Sequence, residues 1–176
     1  AVTDELTGLA NVRAFMSIID REIERSRRFE NPLGLVMLDL DDFKSVNDTY
    51  GHQQGDEVLA HVAWVLRDVS RELDTVARYG GEELAVVLPQ TDTAGGVMLA
   101  ERMRAAIEDL HVPRVGGQGT IQVTASFGVA SVPEHGGDRN ELIAAADAAL
   151  YAAKGAGKNR VERAGKALAE PSARPR

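Results

Sequence analysis

Two acidic runs in this chain combine residue types and spacings suited to metal chemistry. Asp39-Leu40-Asp41-Asp42 ends the apolar segment Leu35-Val36-Met37-Leu38, and Glu82-Glu83 follows directly on Gly80-Gly81. Carboxylate oxygens are the donors that hard divalent cations prefer. Around the glycines, Thr75-Val76-Ala77-Arg78-Tyr79 reads as one strand and Leu84-Ala85-Val86-Val87-Leu88 as the next. Gly-Gly is expected to supply the positive φ angles of a two-residue hairpin between them. Both acidic runs then end strands, which suggests a divalent-metal site at a sheet edge. Asp39 is the ligand candidate of the first run because of its expected neighbour; Asp41 and Asp42 by themselves read as a solvated strand end.

The elements that must position these acids follow from hydrophobic period. Asn11 can cap a helix whose apolar residues Val12, Phe15, Met16, Ile19 and Ile23 recur at helical spacing, and Pro32 stops it. Residues 33–40 form a short apolar run that ends in the acids, as in a central strand covered on both faces. Residues 51–55 read as a loop. Val58, Leu59, Val62, Val65, Leu66 and Val69 form the stripe of a helix, on which Trp64 is expected to pack at the core or its edge. Asp92 can cap a further helix with Val97, Ala100, Met103, Ile107 and Leu110 inward. Ile121, Val123, Ala125, Phe127 and Val129 alternate with polar residues, the period of a half-buried strand. An alanine-rich helix over residues 141–154 is closed by Gly155.

The order helix, strand, helix, hairpin, helix, strand, helix contains a split βαβ pattern. The expected fold is α+β, a ferredoxin-like, palm-type core (βαββαβ) with a central antiparallel sheet flanked by helices. The helical crossover makes the strand at 33–40 run parallel to the Thr75 strand, so the return strand of the hairpin slots antiparallel between them. Asp39 and Glu82 are then neighbours at one edge. An all-parallel sheet cannot hold a tight hairpin in its middle.

Composition narrows the classes further. At 176 residues the chain is long enough for one domain with a substantial core. There is no apolar run of the ~20 residues a membrane span needs, and no membrane contact is expected. Twenty basic against 27 acidic residues give a net charge of -7 without a basic stripe, which argues against nucleic-acid binding. The absence of cysteine leaves oxygen or imidazole as metal donors and fits a cytoplasmic location, including the cytoplasmic part of a membrane-anchored protein. His61, His111 and His135 lack metal-ligand spacing and read as structural or solvated. Ala1 in place of methionine, and the abrupt start of the motif at Asp4, suggest a domain excised from a longer protein with an N-terminal regulatory region. Residues 164–176 read as a disordered tail.

Five motifs in order resemble those of the GGDEF family, the diguanylate cyclases, over residues 1–163. Asp4-Glu5-Leu6-Thr7-Gly8-Leu9-Ala10-Asn11 resembles the family's N-terminal turn, and Asp39-Leu40-Asp41-Asp42-Phe43-Lys44-Ser45-Val46-Asn47-Asp48 its first metal and nucleotide segment. Gly51-His52-Gln53-Gln54-Gly55-Asp56 follows in place. Gly80-Gly81-Glu82-Glu83-Leu84 resembles the signature, and Ala153-Lys154-Gly155-Ala156-Gly157-Lys158-Asn159 the closing phosphate segment.

The resemblance implies condensation of two GTP into cyclic di-GMP with release of two pyrophosphates, dependent on Mg2+ or Mn2+. By analogy Asp39, the Leu40 carbonyl and Glu82 are metal ligands, with Glu83 as a further one, and Glu82 is the favoured general base. Gly80 and Gly81 would let backbone amides approach phosphate, while Lys44, Lys154 and Lys158 supply positive charge. Asn47 and Asp56 would read guanine, whose N1 and N2 donors suit a carboxylate; His52 either assists the nucleotide loop or is a simple loop histidine. One GTP per protomer requires a homodimer for catalysis, driven by an upstream sensor or coiled-coil region. Arg71 and Asp74 match the family's RxxD product-inhibition motif, and Arg102 resembles its secondary contact, so cyclic di-GMP is expected as an allosteric inhibitor as well as product.

Three positions depart from the family pattern. Val12 stands in place of an arginine, which puts a salt bridge at the N-terminal turn in doubt; Leu84 replaces phenylalanine; and Lys158 replaces an arginine, keeping charge without bidentate geometry. Two other classes compete with the enzyme. A noncatalytic receptor for GTP or cyclic di-GMP would bind without turnover, and a phosphoryl-accepting receiver would need parallel strands in place of the hairpin.

Overall fold

The computed structural model describes residues 1–165. Along them run α1 (Val12–Phe29), β1 (Leu33–Leu40), α2 (Phe43–Tyr50), α3 (His52–Val69), β2 (Thr75–Arg78), β3 (Glu83–Pro89), α4 (Thr93–Glu108), β4 (Val112–Pro113), β5 (Thr120–Ile121), β6 (Ala125–Val132), α5 (Arg139–Gly155) and β7 (Val161–Arg163). The main sheet has the order β2-β3-β1-β6-β7. β3 lies antiparallel between β2 and β1, β6 is antiparallel to β1, and β7 adds a parallel edge. This is the expected split βαβ core, extended by β7 and by the small β4-β5 hairpin.

Alternation along β1 divides the core between two helical layers. Val36, Leu38 and Leu40 pack with α3 and α4, while Leu33, Leu35 and Met37 pack with α1 and α5. Burying each such side chain contributes roughly 1.5–3 kcal/mol. Asp39 continues the second set, so the helix that reaches it is α5. That helix lies unusually close to the sheet: a Cβ on Gly128 of β6 would come within 2.1 Å of the Ala146 carbonyl oxygen and 2.3 Å of the Leu150 nitrogen.

Caps expected from sequence form. The Asn11 side chain accepts from the Ala14 amide and the Asp92 side chain from the Gly95 amide. α1 ends before Pro32, at Glu30 in a left-handed conformation (φ 54°).

Several local expectations need correction. Residues 52–55 belong to α3, and a separate helix, α2, precedes it because Phe43 and Val46, three apart, bury one face. Gly51, at φ 92°, makes the elbow between the two. The glycine turn is longer than two residues and neither Gly80 nor Gly81 is left-handed. Residues 79–82 leave the ladder, and the Glu83 carbonyl accepts from the amides of both Tyr79 and Gly80. The alternating stretch at 121–129 is not one half-buried strand: β5 ends at Ile121, and all eight residues of β6 are buried because α4 and α5 cover its two faces. Gly155 lies in the last turn of α5, with Ala156 as the C-cap. Trp64 is 61% exposed on the outer face of α3. In the expected tail, Ala164 is packed and its amide donates to the Val129 carbonyl at 2.7 Å; residues 166–176 lie outside the described residues. Among the described residues, no helix is long and apolar enough to cross a membrane.

Gly128→Ala is expected to destabilise the domain by about 2–3 kcal/mol in chemical denaturation, since backbone atoms of α5 cannot yield to the added methyl without shifting the helix.

Candidate active site

The register of β1 and β3 brings the two acidic runs together. Asp39 stands opposite Glu83, and the Leu40 amide donates to the Glu82 carbonyl at 3.3 Å. From α5, the Lys154 ammonium reaches this edge. It lies 3.0 Å from Asp39 Oδ1, 2.9 Å from Asp41 Oδ1, and 3.4 Å from the carbonyl oxygens of both Asp39 and Leu40. A cation therefore already rests against the carboxylate and the carbonyl that the sequence singled out as metal ligands.

Asp41 is not a solvated strand end. Its side chain is 2% exposed and accepts from Ser126 Oγ, Lys154 Nζ, Thr124 Oγ1 and the Asn159 amide, all at 2.7–2.9 Å. The two hydroxyls come from β6 and the segment leading into it, which pair alongside β1, so no local pattern in the first acidic run could have disclosed them. Asp42 is exposed and pairs with Lys158 at 2.7 Å.

Arg78, not singled out from sequence, clamps the glycine turn. Its guanidinium donates to the Gly80 and Gly81 carbonyls and pairs with Asp4 at 3.2 Å. This capture bends the loop without left-handed glycines, and through Asp4 it ties the loop to the N-terminal turn. The available signal is an arginine two residues before Gly-Gly. A Cβ at Gly81 would meet nothing within 4 Å, so the turn faces open space.

That space is a cleft of about 600 Å³ whose walls include Asp39, Glu82, Glu83 and Gly81 on one side and Lys44, Asn47, His52 and Asp56 on the other. The Gly51 elbow puts Asn47 of α2 and Asp56 of α3 on the same wall. Gly55 seats Asn47, since a Cβ there would fall 1.9 Å from Asn47 Oδ1. Lys44 is exposed and pairs with Asp48.

This arrangement belongs to a chain that, over residues 1–160, matches the family described as diguanylate cyclase, GGDEF domain. The chain is a GGDEF domain. The response regulator PleD of Caulobacter vibrioides is 38% identical over 161 residues, covering 92% of this chain and 36% of PleD. The diguanylate cyclase DosC of Escherichia coli K12 is 40% identical over 159 residues, covering 90% of this chain and 34% of DosC. The chain thus spans about a third of these relatives. The GGDEF domain of DgcB from Caulobacter crescentus, solved in complex with c-di-GMP, is similar with a TM-score of 0.86 and 36% identity, covering 92% of each chain.

In this GGDEF domain the carboxylates at the sheet edge perturb one another. Burial, repulsion from Asp147 on α5, and repulsion from Asp39 and Glu82 push Glu83 up to about 7. Burial and Asp39 also raise Glu82, against the pull of Lys154. Burial would raise Asp41 too, but its bonds from Lys154, Ser126, Thr124 and Asn159 outweigh that and hold it below the ordinary carboxylate value. Burial disfavours the Lys154 charge, yet Asp41 and Asp39 overcome this and raise its pKa.

Arg71 and Arg102 line a second cleft, of about 460 Å³, at the opposite end of β3 from the glycine turn. Arg71 is fixed by Asp74 at 2.8 Å and by the Pro89 carbonyl and Thr91 hydroxyl. The Asp74 side chain is fully covered beneath it, so the arginines are the charged groups of the motif that face the cleft.

Because Glu83 is raised, its contribution to stability is full below pH about 4.5 and is lost as pH climbs through 7. Metal-free protein is expected to lose melting temperature between pH 5 and 8, with Glu83→Gln reducing the loss; differential scanning calorimetry reads both.

Proposed function

We propose that this domain condenses two GTP molecules into cyclic di-GMP, as the catalytic module of a longer protein whose upstream region brings two copies together. The observation that carries this is the meeting of Asp39, the Leu40 carbonyl and Glu82 at one sheet edge, across a cleft from Asn47 and Asp56.

The donor set fits a hard divalent ion. Asp39 Oδ1 and the Leu40 carbonyl already attract an ammonium, and burial together with repulsion raises Glu82 and Glu83, as expected where positive charge is wanted. Among the described residues no three His, Cys, Asp or Glu side chains gather closely enough to hold an ion alone. Backbone oxygen and nucleotide phosphate would complete the shell, the usual manner of holding Mg2+. Asp39, Leu40 and Glu82 would be the ligands, with Glu83 beside them. An ion bound there would neutralise charge on the attacked phosphoryl group and the departing pyrophosphate.

The chain's own residues do the rest. Lys154 lies at the metal edge, Lys158 pairs with the neighbouring Asp42 and Lys44 lines the cleft, where they can bind phosphate; the open side of Gly81 admits it, while the Gly80 amide is held by the Glu83 carbonyl. Asp56 accepts from guanine N1 and N2, Asn47 bonds the base edge, and His52 borders them. The ribose 3′-oxygen of one nucleotide attacks the α-phosphorus of the other, the bond to the β-phosphate oxygen breaks, and Glu82 accepts the hydroxyl proton. One cleft per chain holds one GTP, so a second copy must supply the other. Arg71 and Arg102 form a cleft suited to the guanine and phosphates of the product, as a site for feedback inhibition; DgcB, which this chain resembles, was solved with c-di-GMP.

The test is mass-resolved analysis of products from GTP, ATP and their mixture with Mg2+, using protein dimerised through an added N-terminal coiled coil. Cyclic di-GMP should form from GTP, ATP should not be incorporated, and Asp39→Ala or Glu82→Ala should cut the rate by at least about a hundredfold. Cyclic di-GMP or GTP binding that survives Glu82→Ala, with no turnover in either form, would instead make the domain a receptor.

Gly55→Ala should raise the KM for GTP about tenfold, the equivalent of one displaced hydrogen bond, by pushing Asn47 from its seat. Melting should change little, because the helix gains up to roughly 1 kcal/mol from alanine against the local strain.

A further inference from the structure

We propose that Asp41 is a positioning residue for the reaction, acting through Lys154. The inference rests on the assignment of Lys154 to nucleotide phosphate.

Asp41 and Asp39 are two residues apart, yet their carboxylates differ in what remains to them. Each Asp41 oxygen already accepts two bonds: Oδ1 from Ser126 and Lys154, Oδ2 from Thr124 and the Asn159 amide. It has no capacity left for an ion. Among the described residues, the only hydrogen bond to the Asp39 carboxylate comes from Lys154, so a divalent cation can take it.

The same contrast decides where the ammonium goes when the site is in use. A cation held by Asp39 Oδ1 and the Leu40 carbonyl would displace Lys154 from two of the four oxygens it now touches. Asp41 Oδ1 is not one of them, and its carboxylate is held in place by Ser126 of β6, by Thr124 and by the Asn159 amide. Asp41 thereby keeps a long, flexible side chain beside the metal, where a phosphate arrives. Through the Asn159 amide it also fixes the turn that carries Lys158, itself paired with Asp42.

A double-mutant cycle separates positioning from general structural support. Binding of the α,β-methylene analogue of GTP is measured by calorimetry in Mg2+ for the native domain, Asp41→Asn, Lys154→Met and the double variant. Each single change should weaken binding by about tenfold or more, in line with other residues that orient a direct ligand. The double variant should bind no worse than Lys154→Met, within about threefold. If the loss from Asp41→Asn persists in full in the Lys154→Met background, Asp41 acts on the fold and not through the lysine, and the inference is overturned while the phosphate role of Lys154 stands. Native-like binding by Lys154→Met would overturn that phosphate role, and the inference with it. Should Asp41→Asn not fold, Thr124→Val removes one tether and leaves the charge. Its loss of binding should be smaller and should vanish in the Lys154→Met background; persistence there overturns the inference.

Discussion

Like charges crowded at the end of one sheet are the constraint around which this domain is organised. Asp39, Glu82 and Glu83 meet at the β1-β3 edge, with Asp147 facing Glu83 from α5. Two unit charges 4 Å apart interact by about 4 kcal/mol at an effective dielectric of 20, so such a gathering opposes folding by an amount that matters to a small domain. Lys154 is the balancing charge, and its position between Asp39 and Asp41 lets the edge exist before any ligand arrives. The uneven treatment of the carboxylates follows. One is saturated and buried, one is nearly free, and two are driven toward neutrality by burial and by their neighbours.

Everything that delivers those groups is ordinary core packing. A central strand buried on both faces fixes where Asp39 ends up, and its alternation turns Asp39 toward the α1-α5 layer. The close approach of α5 at Gly128 sets the height from which Lys154 reaches down. On the other wall, the Gly51 elbow and the Gly55 seat place Asn47 beside Asp56. Glycines thus serve the site twice by allowing near contact, at Gly128 and Gly55, while Gly81 leaves space and neither it nor Gly80 needs a special backbone conformation.

Much of this is legible in the order of residues. Residues 33–38, continuously apolar and followed by acids, identify the central strand, and the Asn11 and Asp92 caps identify two helix starts because capping is a local bond. The pairing of Asp39 with the Glu82-Glu83 pair follows from the split βαβ order alone. Local reading fails where distant groups decide. The turn at residues 79–82 resembles a glycine hairpin because Arg78 capture is invisible to turn statistics. Residues 52–55 resemble a loop because the glycines that interrupt the pattern serve an elbow and a side-chain seat. Trp64 reads as internal because it lies near an apolar stripe, yet its helical angle points outward.

Residue order dictates the short-range choices: which segments alternate, where helices are capped, and that carboxylates end two strands bound to be neighbours. Membership in the GGDEF family rests on those same contiguous motifs. Which carboxylate is free and which is spent is settled by the folded arrangement alone. Asp39 and Asp41 share one tetrapeptide, the same chemistry and a bond from Lys154, and the difference between them comes from Thr124, Ser126 and Asn159, more than 80 residues away along the chain. Hydrogen bonding acts over about 3 Å of space, not of sequence, so no local reading could have told the two aspartates apart.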